Sequence, residues 1–562
     1  MVRTISLILL MFSMGQLQIN AQMRERVYLQ TDKQLYMSGE LLWLKIYTTD
    51  TDGKLMSSSK IGYVELVRDS IPEVQIKLDI QDGTGAGWME LPAMLPTGYY
   101  RMIAYTRYMR NEDENVFFEK TIAIINPFHQ NEVSYSNDTY TSFSFRPIEN
   151  NNPTFELSTD KSVYTKRDKG VIRIKNLPAE NISIGISIAG IDPVLVGNPT
   201  IEQWKTQLPV EGTSIFDVRY LPEYEGAIID GMLIDLETGT PSANPQVIPL
   251  LSFPGKEIQL FAGQPHTTGE VTFYTQCVTG KQALTTTAIT SSDRKYRIDM
   301  QSPYSLHAPV SLPQFKPDSA WLDYFELRNL SLQVTHAYLA DSLSIIKEIP
   351  SCTDLVPQRR YILDDWTRFT NMEEVFIEFI ASARISRTSE GRKFSMANEN
   401  MISSSTNILV LLDNIPCADH ELMIKYNPLS VKIIDMHFGE YVFGEHTFDG
   451  IIAFYTYKND YREITFGEST QIYDYDGTQP YRYFYTPKYD AASVSSFLPD
   501  FRHTLLWDPL IQSKGQNELV IPFSTSDIQG SFVITIEGIG VNGTVIQAKQ
   551  TFDVGLYSDI LY

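Results

Sequence analysis

The sequence predicts a mainly β protein, with tandem sandwiches joined to one α+β domain and no closed β-barrel. Three observations predict it. Short alternating apolar segments with turn signals between them recur through most of the chain. A six-residue pattern, T-D-K-x-x-Y, stands at residues 31–36 and again at 159–164, each copy leading into a strand. Between residues 372 and 412 the character changes to a helix-spaced segment, MEEVFIEFIASA, followed by the continuous apolar run ILVLL.

The first residues set the compartment. Arg3 precedes the apolar run ISLILLMFSM at 5–14, and a polar stretch then ends at Ala21-Gln22. That order is expected of a secretory signal peptide over residues 1–21, and the run is too short to span a bilayer. Ile19 is larger than the cleavage rule prefers, which blurs the exact cut but not the export. No Cys lies near the cut, so a lipid attached there is excluded. No later apolar run approaches the ~20 residues of a membrane helix, so no transmembrane segment is expected after signal cleavage.

At 562 residues the chain exceeds one hydrophobic core and implies about four domains, at ~100–150 residues each. Its 32 Tyr and 28 Phe are ample for several β cores. A net charge of −22 argues against nucleic acid and anionic lipid, both of which need a basic surface. The three cysteines, Cys277, Cys352 and Cys417, match neither a redox CxxC nor a zinc pattern. A Cys352–Cys417 bridge and free buried thiols both stay open.

Taken in order, residues 22–128 read as the first sandwich. Strand, turn and strand occupy 27–47 around Met37-Ser38-Gly39-Glu40, and further strands follow at 61–67, 88–91 and 98–105. Residues 129–215 read as a second sandwich, entered through an Asn- and Ser-rich junction at 127–153. Residues 216–300 read as a small β domain, with strands at 228–236, 247–251 and 271–274. A partly helical connector follows at 301–356, with Asp318 or Ser319 as N-cap. The α+β unit spans 357–475, with a helix at 372–383 and a buried strand at 408–412 ending at Asp413-Asn414-Ile415-Pro416. Residues 476–562 read as a terminal sandwich.

Several of these segments resemble known families. YLQTDKQLYMSGE at 28–40 resembles the opening of a macroglobulin MG2 domain, and LPTGYYRMIAYTRYMRN at 95–111 resembles its closing hairpin in envelope proteins of Bacteroidota. Residues 221–274 are similar to a carboxypeptidase-regulatory-like domain. TNMEEVFIEFI at 370–380, ILVLLDNIPCAD at 408–419 and FDGIIAFYTYK at 448–458 resemble the plug of TonB-dependent transporters. FLPDFRHTLLWDP at 497–509 and IPFSTSDIQGSFVITIEGI at 521–539 resemble the C-terminal sandwich of the same envelope family. Two departures limit what the resemblance implies. No GCGEQ thioester motif is present, so covalent trapping is not implied. Only 102 residues follow Asp460, too few for a transporter barrel.

No residue is assigned a catalytic, cofactor-binding or metal role. His420-Glu421 begins like HExxH, but Ile424 fills the second His position. His437, Glu440, Glu445 and His446 could be metal ligands only if a turn gathers them, and a solvated turn is preferred. Asp79, Asp82 and Gly83, and likewise Asp474, Asp476 and Gly477, lack the alternating ligands and closing Glu of a calcium loop and read as turns. The Tyr-rich run at 473–489 is either a binding surface or a cover for the α+β domain, and the cover is preferred. No nucleophile elbow, Walker loop or dinucleotide fingerprint appears.

The expectation is therefore a non-catalytic binding or scaffolding protein, in the periplasm or at the outer membrane as the resemblance implies. It needs no cofactor. Its expected partners are proteins, with an outer-membrane transporter or assembly complex among them. Two alternatives stay open: a non-covalent protease-binding macroglobulin-like protein with a bait at 131–152, and an enzyme with an unrecognised site.

Overall fold

In the computed structural model the chain folds into two compact units, 1–222 with 307–345 and 482–562, and 223–306 with 346–481. The described residues are 24–128, 155–193, 197–208, 217–255, 258–276, 278–290, 294–339, 355–389, 391–397, 404–444, 446–459, 461, 464–489 and 497–555. The fold is mainly β, with sandwiches in the first unit and an α+β domain in the second.

The first sandwich has eight strands: β1 Arg26–Thr31, β2 Leu35–Met37, β3 Leu41–Thr49, β4 Ile61–Arg68, β5 Ile71–Asp79, β6 Thr84–Glu90, β7 Gly98–Thr106 and β8 Phe118–Ile125. They form a three-stranded sheet, β1-β3-β6, and a five-stranded sheet, β2-β8-β7-β4-β5. The turn expected after Met37 is present, with the Glu40 amide donating to the Met37 carbonyl and Gly39 at φ 86°.

The second sandwich also has eight strands, but they come from two distant parts of the chain. β9 Glu156–Thr159, β10 Val163–Tyr164, β11 Lys169–Lys175 and β12 Ile182–Gly190 come first. β13 Thr504–Gln512, β14 Glu518–Ser524, β15 Gly530–Gly540 and β16 Val545–Val554 complete it. Its sheets run β9-β11-β14 and β10-β16-β15-β12-β13. Each order is that of the first sandwich with eight added to every strand number. Even the one parallel pairing recurs, β2 with β8 and β10 with β16.

This corrects the expectation of separate sandwiches at 129–215 and 476–562. They are the two halves of one domain, interrupted between its fourth and fifth strands. The reason is edge pairing: β12 alone leaves both its edges open, and β13 and β15 pair along them. The core is likewise shared, with Ile172, Ile184 and Ile186 packing with Phe523, Ile534 and Phe552.

The two sandwiches join through a buried polar face. β1 and β3 are buried along nearly their whole length. Lys45 Nζ donates to Ser183 Oγ at 2.9 Å, Tyr28 OH to Glu537 Oε2 at 3.1 Å, and Gln30 Nε2 to the Gly185 carbonyl at 3.1 Å. A Cβ at Gly185 would stand 2.1 Å from Gln30 Oε1, so a side chain there would displace the Gln30 amide from this contact.

The connector's helix, Leu322–Leu339, also belongs to this unit. Asp318 caps the preceding turn, accepting from the Ala320 amide at 2.9 Å. Phe325 packs with Leu35, Met37, Ala123 and Ile125 and so covers the β2-β8 end of the first sandwich.

The second unit holds a seven-stranded sheet and the α+β domain. The seven-stranded sheet is built from 228–300 plus one late strand, Thr470–Asp476, which pairs with Lys281–Ile289. The boundary expected at 475 therefore cuts a strand that belongs with the earlier β domain. In the α+β domain, Leu409–Leu412 pairs in parallel with His446–Thr456, and Val431–Phe443 lies on the other side of the latter. Asp413 and Asn414, at φ 46° and 70°, make the tight turn into Ile415–Pro416. The helix expected at 372–383 is shorter, Met372–Glu378. It stops where the Phe379 ring leaves the helical path to stack on Trp366 at 5.1 Å.

Candidate functional site

The repeated T-D-K-x-x-Y pattern is a structural corner. Asp32 Oδ1 accepts the Tyr36 hydroxyl at 2.7 Å and the Trp43 amide at 3.1 Å. Asp160 Oδ1 does the same for the Tyr164 hydroxyl and the Val171 amide, both at 2.7 Å. Tyr36 and Tyr164 thus hold equivalent places, on β2 and β10. One aspartate ties a short strand to the next, which explains why the pattern needs Asp and Tyr at that spacing.

The two copies differ at the lysine. Lys161 is exposed and pairs with Asp168 at 2.8 Å. Lys33 is buried, 2.8 Å from Asp32 Oδ2 and 3.0 Å from Glu40 Oε1. Glu40 also accepts both contacts of Arg328 Nη2, at 3.3 and 3.0 Å, from the helix Leu322–Leu339. Arg328 Nη1 reaches Asp192 Oδ1 at 3.0 Å, and Asp192 in turn accepts from Tyr324 OH and lies 3.4 Å from His503 Nε2. Burial works against the charges of Glu40 and Asp192, yet the pairing outweighs it for both. Glu40 is held below its ordinary pKa by Lys33 and Arg328, and Asp192 by Arg328 and His503. His503 is pushed down by burial and by Arg328.

Beside the network lies a cleft of ≈ 260 Å³. Trp43, Phe484, Phe501 and Leu332 give it apolar walls, with Phe484 edge-on to Trp43 at 5.4 Å. Arg482 lies over the Trp88 ring at 4.7 Å and the Trp43 ring at 6.0 Å. Arg502, also in the lining, is held by both oxygens of Asp500 at 2.8 Å and by the Leu505 carbonyl at 3.1 Å. Aromatic walls and fixed cations suit this cleft to hold a ligand, while Lys33, Glu40, Arg328, Arg502 and His503 of its lining are engaged in ion pairs.

Sequence reasoning did not find this network. One signal was present: Arg328 stands at helical spacing with Phe325 and Leu332, on the stripe that faces the core. Asp192 and His503 carry no local signal, because they meet only when β12 and β13 pair.

The motifs singled out earlier fall elsewhere. His420 opens the short helix His420–Ile424, and Ile424 is a buried core residue of the α+β domain. His437 is buried on its strand, while His446 pairs with Phe443 at the hairpin's far end, so they do not converge. Glu440 is exposed, and Glu445 lies outside the described residues. No group of three metal-ligating side chains occurs among the described residues. Asp82 and Gly83, at φ 49° and 76°, form a two-residue turn between Gln81 and Thr84. Asp474 and Asp476 lie on the strand Thr470–Asp476. In the Tyr-rich run, Tyr473 donates to the Ile298 carbonyl at 2.9 Å and Tyr489 to Asp500 at 2.5 Å, so these hydroxyls are used within the fold. Cys417 is a free buried thiol, and Cys277, Cys352, the residues expected to form a leader at 1–21 and the expected bait at 131–152 lie outside the described residues.

His420 makes the α+β domain sensitive to acid. Its Nδ1 accepts the Phe394 amide at 3.1 Å, which requires the neutral ring, and burial with nearby Lys393 pulls its pKa down to about 4. A folded-state pKa below the free value of about 6.5 means that stability is full above pH 6.5 and falls as acid protonates the unfolded chain first. Between pH 7.5 and 4.5 the domain is expected to lose about 2 kcal/mol from this group, allowing for partial solvent screening. Urea midpoints at the two pH values check this. In His420→Gln the pH difference should shrink, and an unchanged difference would remove His420 as its source.

No protein-family model and no curated protein matches the chain. Among solved structures, Salmonella α2-macroglobulin reacted with methylamine is similar over 94% of this chain and 39% of its own, at 9% identity and TM-score 0.24. E. coli α2-macroglobulin in its native conformation is similar over 94% and 40%, at 11% identity and TM-score 0.23. The E. coli adhesin FdeC is similar over 50% and 65%, at 9% identity and TM-score 0.15. This chain spans 39% to 44% of the length of the macroglobulins it is similar to.

Proposed function

We propose that this chain is a non-catalytic binding and scaffolding protein of the bacterial cell envelope, exported to the periplasm or the outer membrane and working through protein partners. The finer reading of its parts belongs to this proposal: MG2-type sandwiches, a carboxypeptidase-regulatory-like domain and a plug-like domain beside a transporter or assembly complex. The observation that carries it is the interrupted second sandwich. Residues 223–306 and 346–481 are inserted between β12 and β13, so the chain passes four times between this unit and a body whose two sandwiches share a buried face. Such multiple tethering suits presentation of a module rather than turnover of a substrate. The paired charges of the first unit point the same way, since a general acid or base must be available to exchange a proton.

The test is crosslinking and affinity purification of the intact chain from its native envelope. Parent is compared with Glu440→Lys and Val442→Lys, two exposed positions on the α+β domain's long hairpin. Discrete protein partners, lost with the variants at equal thermal stability, are the expected result. Turnover by purified protein in a broad hydrolase screen would overturn the reading. Protease cleavage within 131–152 coupled to a change of shape would move it to protease trapping.

A further inference from the structure

We propose that the cleft in the first unit is a binding site for a small uncharged ligand built on one aromatic ring. This goes beyond the scaffolding reading and does not depend on it. Size sets the first limit. An apolar cavity of about 150 Å³ holds one benzene-sized ring, and drug-sized ligands occupy about 300–1,000 Å³. At ≈ 260 Å³ the cleft lies between the two, with room for a ring and a short substituent. Its walls favour that ring. Trp43 is 4% exposed on β3, and Phe484 meets it edge-on at 5.4 Å with the ring planes 76° apart. Phe501 and Leu332 add to the same lining. A flat ring entering here lays a face or an edge against its aromatic neighbours, the geometries that such pairs favour. A saturated ring of the same size gains the burial without that contact.

The preference for a neutral ligand follows from what the ions of the lining already do. Lys33 is paired with Asp32 and Glu40, Arg328 with Glu40 and Asp192, Arg502 with Asp500, and His503 with Asp192. Arg482 lies over the Trp88 and Trp43 rings. Glu90 and His336, the other ionisable groups of the lining, belong to exposed residues, where water screens them. A charged ligand would therefore give up its hydration for a cleft whose ions are already matched, and could gain a partner there only by breaking a pair. An uncharged ring has little hydration to lose and gains from leaving water.

The experiment titrates the intact chain at pH 7.5 with four compounds of similar size: benzyl alcohol, benzoate, benzylamine and cyclohexylmethanol. Calorimetric heat and tryptophan fluorescence are read. Benzyl alcohol should bind saturably. The anion and the cation should each bind about tenfold or more weakly, and cyclohexylmethanol about threefold or more weakly. Phe484→Leu keeps an apolar wall but removes a ring, so it should shrink the preference for benzyl alcohol over cyclohexylmethanol. Thr335→Trp, a part-exposed position in the cleft lining, should block benzyl alcohol without lowering the thermal midpoint. Should Thr335→Trp fail to fold, the four-compound comparison on the parent together with Phe484→Leu decides. No saturable binding of benzyl alcohol up to about 10 mM, either ion or the saturated ring binding as tightly as it does, or parent-like behaviour of either folded variant would overturn the proposal.

Discussion

Arg328→Met is expected to destabilise the first unit by about 3–5 kcal/mol, because it strips the shared cation from two mostly buried carboxylates. Arg328 is 3% exposed, and its guanidinium meets Glu40 on one side and Asp192 on the other. Methionine keeps most of the stem's packing, so the loss measures the stranded charges rather than a cavity. The sign with pH is also set. Glu40 and Asp192 have folded-state pKa values below their ordinary ones, so their contribution is present at neutral pH and is lost as pH falls through those folded values. The gap between parent and variant should therefore narrow in acid. Urea unfolding followed by tryptophan fluorescence at pH 7.5 and 3 measures both effects. Lys54→Met, which removes an exposed pair with Asp52 at 3.1 Å, should leave the urea midpoint close to that of the parent and serves as the control. A loss at Arg328 no larger than that control would mean that water, not the guanidinium, satisfies the two carboxylates.

Leu411→Ala is expected to cost the second unit about 2–5 kcal/mol, the range for a cavity in a packed core. The strand Leu409–Leu412 is buried on both faces. Val410 and Leu412 pack with Val375 and Phe376 of the helix Met372–Glu378 and with Phe454. Leu409 and Leu411 point the other way, into a cluster with Leu250, Phe448, Ile451 and Tyr455. Leu250 belongs to the seven-stranded sheet, so the lost methyls would loosen the seam between the two layers of this unit. Denaturant unfolding checks the magnitude. Val520→Ala, 53% exposed on β14, should cost under about 0.5 kcal/mol in the same assay. If Leu411→Ala matched it, the seam would have to repack without leaving a cavity.

That second expectation was legible in the sequence before any coordinates. ILVLL has no polar position to turn outward, so both of its faces had to be covered. Asp413-Asn414 marked the turn that ends it, and Asp318 marked the start of the connector's helix, since both depend on neighbours only a few residues away. The helix at 372–383 was read five residues too long at its end, because the stacking of Phe379 on Trp366 is a tertiary contact that propensity does not register. The boundary near 475 failed for a similar reason: the strand Thr470–Asp476 is ordinary in pattern, and only its partner Lys281–Ile289 says which sheet it extends.

The repeated T-D-K-x-x-Y shows where local information stops. Its residues by themselves determined two like corners, because an Asp four residues before a Tyr can bond the hydroxyl and the following strand's amide without outside help. They also determined a mainly β chain, since alternation with period two leaves little choice of element. Only the tertiary structure decided that the second corner's sandwich closes with strands from residue 504 onward, and that Lys33 is buried where Lys161 is not. The physical reason is the same in both cases. An open strand edge and a buried charge are satisfied by whatever group arrives in space, and separation along the chain costs closure entropy that grows only as the logarithm of loop length.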